Sequence, residues 1–109
     1  VYNPGQVLTA AGFGAAYVAP YLGRLGDAGR DGRAAILQMR DILRGTASAT
    51  RLLVASLRSR DEVVALSIAG LDTFTFGPEV ADELLHEPLT EAAAGDFQRA
   101  VEATNRDGE

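Results

Sequence analysis

Apolar positions along the chain change their period several times, and each change marks an element. Between Asn3 and Ala11, Val7, Leu8 and Ala11 recur at helical spacing. Asn3-Pro4 supplies the start, an N-cap followed by proline at the first helical position, and Gly12 with Gly14 supplies the stop. Residues 16–20, AYVAP, then read as a brief apolar strand whose proline suits a strand end. From Tyr21 to Gly32 the pattern is polar and turn-rich, with glycine at 23, 26, 29 and 32, and predicts a loop. Ala35, Ile36, Met39, Ile42 and Leu43 restore the helical period from about Arg33 to Arg44, with Gly45 as the stop.

After a small polar loop, GTASAT, residues 51–56 (RLLVAS) form a continuous apolar run, as expected of a strand buried on both faces. Ser59 stands three residues ahead of Glu62, a capping-box spacing, and opens a helix carrying Val63, Val64, Leu66 and Ile68 that Gly70 ends. Residues 73–76, TFTF, predict a third short strand, with Phe74 and Phe76 as packing residues. Glu79–Leu85 reads as a helix interrupted at Pro88. Thr90-Glu91 opens a last helix to about Ala103, leaving NRDGE as a frayed tail.

Strands near 17, 53 and 75 alternating with helices make the βα rhythm of a parallel sheet, so the class is α/β. Three parallel strands leave bare edges, and a closed barrel takes about eight. The pattern therefore leaves two architectures open: a small open three-layer sandwich, or part of a barrel.

Composition narrows the function. At 109 residues the chain is one domain at most, and 47% hydrophobic with 23% charged residues is ordinary for a globular chain. A net charge of −5 argues against nucleic acid, which calls for a basic face. No apolar run approaches the roughly 20 residues that span a membrane, and the opening VYNPGQ lacks the look of a secretory leader. The absence of Cys excludes thiolate chemistry and agrees with a cytoplasmic setting. All ten basic side chains are Arg, so no lysine amine is available for a Schiff base. Val1 in place of an initiator methionine suggests a piece of something longer. No phosphate-binding glycine loop follows a strand, and His86 stands without a second His or a Cys, so neither a nucleotide, a metal nor any other cofactor is expected.

Several collinear stretches carry a resemblance: VYNPGQVLTAAGFGA, AYVAPYLGRLGDAGRDG, LLVASLRS, AGLDTFTFGPEVADELL and EPLTEAAAGDF. Together they resemble the carboxyl-terminal half of the transaldolase and fructose-6-phosphate aldolase family. The resemblance implies the last part of a (β/α)8 barrel, with strands at about 16–20, 51–56 and 73–76 and with Val1-Tyr2 as the remnant of the strand before. The whole of residues 1–109 is then a single partial domain. It also implies Schiff-base chemistry on a ketose phosphate, moving or cleaving a dihydroxyacetone unit. The family's lysine lies on an earlier strand than any here, which agrees with a lysine-free chain inactive by itself.

The resemblance assigns residues as well. Tyr21 falls where the family carries Tyr or Phe beside the Schiff base, and a phenol there can hold the catalytic water or donate a proton. Tyr at this place is similar to the aldolases, whereas Gly23-Arg24 is similar to the transaldolases. Arg24, Ser56 and Arg58 match the phosphate-binding positions, and the helix start near Ser59 is expected to help hold the anion. Asp27 and Asp31 read as loop caps. The expected partners are a sugar phosphate and either the missing amino-terminal barrel half or a second copy of the chain. A non-catalytic phosphate-binding or structural half-barrel is the rival expectation.

Overall fold

The computed structural model describes residues 1–107. Its elements in chain order are α1 (Pro4–Gly12), β1 (Tyr17–Val18), α2 (Leu22–Asp27), α3 (Gly32–Gly45), β2 (Arg51–Leu52), α4 (Arg60–Ile68), α5 (Pro78–Leu85) and α6 (Pro88–Asp107). β1 and β2 pair in parallel, Tyr17 opposite Arg51 and Val18 opposite Leu52. Beyond this two-residue register the pairing continues only as single bridges, Tyr21 to Ala55 and Val54 to Phe74, both parallel. The fold is therefore α/β and helix-rich around a small parallel sheet. The strands expected at 16–20 and 51–56 are shorter than their apolar runs, and the one expected at 73–76 is reduced to a bridge.

Backbone hydrogen bonds fix the lateral order. Carbonyls of Ala16, Val18 and Pro20 accept from Arg51, Leu53 and Ala55, while Val54 exchanges bonds with Thr73 and Thr75 on its other side. Ala19 points its carbonyl the opposite way and accepts from the Val1 nitrogen at 2.7 Å. The segments thus lie side by side as Val1, β1, β2 and 73–75. Strand alternation sends Val18, Leu52 and Val54 to the face covered by helices, where all three are buried. Tyr17, Ala19, Leu53, Thr73 and Thr75 alternate to the other face, which no helix among the described residues covers, and Tyr17 is 53% exposed there.

Helix sequences explain the covered side. α1 begins with a capping box, Asn3 accepting from the Gln6 N–H and Gln6 from the Asn3 N–H, and anchors through Val7. α3 is capped by Asp31, which accepts from the Ala34 N–H at 3.1 Å, and buries Ile36, Met39 and Leu43. Gly45 is its last residue; the left-handed turn after it falls on Ala47, φ 51°. In α4 Val63 and Leu66 are buried, whereas Val64 and Ile68 lie largely exposed. Phe74 packs on the core, but Phe76 is 39% exposed.

Two elements depart from expectation. The glycine-rich loop holds the short helix α2, because Leu22 and Leu25 are both buried and lock its single turn and a half. That burial, roughly 1.5–3 kcal/mol per side chain, outweighs the roughly 1 kcal/mol that each glycine costs a helix. α6 starts at Pro88 rather than Thr90 and continues through Asp107, so Asn105–Asp107 of the expected frayed tail are helical. Gly108 and Glu109 lie outside the described residues. None of α6's side chains described is buried, and Leu89 and Phe97 are 80% and 71% exposed. The helix projects from the body, which gives a radius of gyration of 20.3 Å where a compact chain of this length has about 13 Å. Among the described residues, no helix is long and apolar enough to cross a membrane.

Candidate active site

The carboxyl ends of β1 and β2 are tied together just where the chain leaves the sheet. Leu22 N–H donates to Ala55 O at 3.0 Å and Gly23 N–H to Ser56 O at 2.9 Å. α2 therefore starts against the end of β2, and Tyr21, its N-cap residue, is held at the seam. A β-carbon on Gly23 would stand 2.7 Å from both Arg58 Nε and Ser56 O, so only glycine lets the Arg58 side chain cross this seam. Ser56 itself adopts φ 57°, a left-handed conformation that costs a non-glycine residue of order 1–3 kcal/mol.

Tyr21, Arg24, Ser56 and Arg58 are thereby gathered at one end of the sheet, as expected from the sequence. The Arg24 guanidinium lies 5.0 Å from the Tyr21 ring centre, within cation–π range. It also donates to the Tyr2 hydroxyl at 3.5 Å, and this hydrogen bond raises its pKa further. Tyr2 completes the cluster, its ring centre 5.7 Å from that of Tyr21 at a 33° tilt. The sequence offered one signal for Tyr2, an aromatic at the expected end of the preceding strand.

Arg58 differs from Arg24 in being already engaged. Its Nη1 and Nη2 donate to the two carboxylate oxygens of Asp27 at 2.8 and 2.6 Å, a bidentate pair. Asp27 is thus not the loop cap read from the sequence but the partner of Arg58 across 31 positions. The α4 N-terminus is also occupied. Glu62 accepts from the N–H groups of Arg58 and Ser59 at 2.7 and 3.1 Å, and Glu83 from that of Arg60 at 2.7 Å. The helix start expected to receive an anion is closed by the protein's own carboxylates. A phosphate at this end of the sheet would meet side chains first, Arg24 foremost.

Hydrogen bonding from Arg58 holds the Asp27 carboxyl below the usual carboxylate range. A depressed carboxylate pKa means that the pair stabilises the fold above the ordinary value and loses that contribution as pH falls through the folded value. Carbon-detected NMR titration of Asp27 is expected to give a midpoint below the ordinary aspartate value of about 3.9, and Arg58→Gln to return it to that range. An unmoved midpoint in the variant would dissociate the two groups.

The family model described as Transaldolase/Fructose-6-phosphate aldolase matches residues 1–108. The chain belongs to that family. Among curated relatives, a probable transaldolase of Nitrosopumilus maritimus is 40% identical, covering 98% of this chain and 50% of the relative. Another from Thermoplasma acidophilum is 36% identical over 99% of this chain and 48% of its own length. A third, from Caulobacter vibrioides, is 35% identical over 96% and 48% respectively. The chain spans about half the length of the curated relatives it matches.

Proposed function

We propose that this chain is the carboxyl-terminal part of a transaldolase-type (β/α)8 barrel of cytoplasmic sugar-phosphate metabolism. The assembled enzyme transfers or cleaves a dihydroxyacetone unit of a ketose phosphate through a lysine Schiff base. The amine comes from another segment, since this one has no Lys. Here Tyr21 orients water or donates a proton beside the Schiff base, and Arg24, Ser56 and Arg58 grip the phosphate. The observation that carries this reading is the convergence of all four residues at the carboxyl end of two paired parallel strands. That end is where α/β barrels do chemistry. Arg24 takes the larger share of the anion, because Arg58 must first release Asp27. The remaining barrel strands dock on the uncovered sheet face and on the Val1 and 73–75 edges.

Reconstitution with the amino-terminal half of a relative tests the assignment. With a ketose phosphate and borohydride, the adduct is expected on the added half alone; an adduct on this chain would refute the division of labour. In the reconstituted enzyme, Arg24→Ala is expected to lower kcat/KM for phosphorylated substrate by about 10- to 100-fold, the loss of a charged hydrogen bond of about 1.5–3 kcal/mol. Unphosphorylated dihydroxyacetone should be spared. Equal losses for both substrates would remove Arg24 from the phosphate site.

A further inference from the structure

The opposite, amino end of the sheet carries a second basic site. Arg40, Arg44 and Arg51 line one cleft of about 410 Å³ together with Ser48, Gly70 and Asp72. Gathering three guanidinium groups in a chain of net charge −5 is costly unless something offsets their repulsion. Two of them are anchored. Arg40 donates to Ala69 O at 2.7 Å and pairs with Asp41 at 2.9 Å. Arg51 pairs with Asp72 at 3.2 Å, donates to Thr73 Oγ1 at 2.7 Å, and lies over the Tyr17 ring.

Arg44 has neither an ion pair nor a hydrogen bond among the described residues. Its position in the last turn of α3 is favourable for a cation, yet the helix end does not use its donors. The carbonyls of Ile42, Leu43 and Arg44 already accept from the backbone N–H groups of Thr46, Ser48 and Ala47. Gly70, at φ 93°, keeps the adjacent space clear, since a β-carbon there would collide with the Arg44 guanidinium. The Ser48 hydroxyl accepts from Thr50 N–H at 3.1 Å, which leaves its own proton free to donate.

We propose that this cleft binds a small phosphorylated metabolite through its phosphoryl oxyanion. Arg44 is the principal ligand, Arg40 and Arg51 flank it, and the Ser48 hydroxyl donates from the α3–β2 loop. The site stands roughly 13 Å from the Tyr21 end, the length of four strand residues. It serves the protein as a second anion site, separate from the substrate grip.

Amide NMR of the 109-residue chain, titrated at constant ionic strength with inorganic phosphate and with glycerol phosphate, tests this. Saturable shifts are expected at residues 45–48 and 70–72, with the monoester binding tighter than phosphate because the cleft exceeds a lone phosphate. Arg44→Gln should weaken them at least tenfold, and Arg24→Gln should leave them intact. The proposal is overturned if those amides stay still, if Arg44→Gln leaves their response unchanged, or if acetate moves them as strongly as phosphate. Failure here with a response at Gly23, Arg24 and Arg58 would leave the substrate site standing.

Discussion

Gly23→Ala is expected to destabilise the chain by about 3 kcal/mol, the sum of overpacking and a weakened backbone hydrogen bond. The added β-carbon would come within 2.7 Å of Ser56 O, the atom that accepts the Gly23 N–H. Relief requires opening the seam between α2 and the end of β2, because a backbone oxygen cannot rotate aside as a side chain can. The same β-carbon presses on Arg58 Nε, so the guanidinium leaves its place over the seam. Gly26→Ala is the matched control: its β-carbon meets nothing within 4 Å, and it should stabilise α2 by about 0.5–1 kcal/mol. Urea unfolding of both variants checks the pair. Equal effects would mean that no tight seam exists at Gly23.

Ile36→Ala should cost about as much or more, roughly 2–5 kcal/mol, for a different reason. Ile36 is completely buried within α3, in the cluster that joins Val7 of α1, Leu22 of α2 and Val18 of β1. Truncation removes apolar contact and leaves a cavity that rigid neighbours on three elements cannot fill. A loss of this size is a large share of the roughly 5–15 kcal/mol that stabilises an ordinary domain. Leu8→Ala, at a position 53% exposed on α1, should stay within about 0.5 kcal/mol. A fall in the urea midpoint without a change in slope would identify Ile36 as a core contact.

Most helices were legible because their information is local. Asn3-Pro4 and Ser59 with Glu62 each act within one turn, and the apolar period of Ile36, Met39 and Leu43 needs no partner to be read, whereas Asp31, read as a loop cap, is the N-cap of α3. α2 was not legible, since its glycines argue against a helix and its support comes from tertiary burial of Leu22 and Leu25. The β1 and β2 strands were overestimated for a different reason. Leu53 N–H does donate to Val18 O, but Pro20 has no N–H to donate to Leu53 O in return, so the regular ladder stops there and resumes only as the Tyr21–Ala55 bridge.

At the candidate site, the strand-end logic and the collinear motifs bring Tyr21, Arg24, Ser56 and Arg58 to one end of the sheet. What no pattern revealed is how the charges are spent. The Asp27–Arg58 pair spans 31 positions and the Arg24–Tyr2 contact 22, separations set by the fold alone. Glu83, reaching Arg60 N–H from α5, is likewise invisible until two helices are packed together. These contacts change the chemistry more than the fold. They separate an arginine already neutralised from one free to meet an anion.

The projecting α6 gives the molecule two grades of amide protection. Amides of α1, α3 and β2 are shielded by a shared core, so their exchange with solvent requires cooperative opening. Those of α6 are held by helical bonds alone, and an isolated helix of this length is marginal in water. Deuterium therefore enters the amides of residues 89–107 at a rate set by local helix opening. Any event that covers that helix is recorded there as a slowing of exchange, while the core amides keep their own clock.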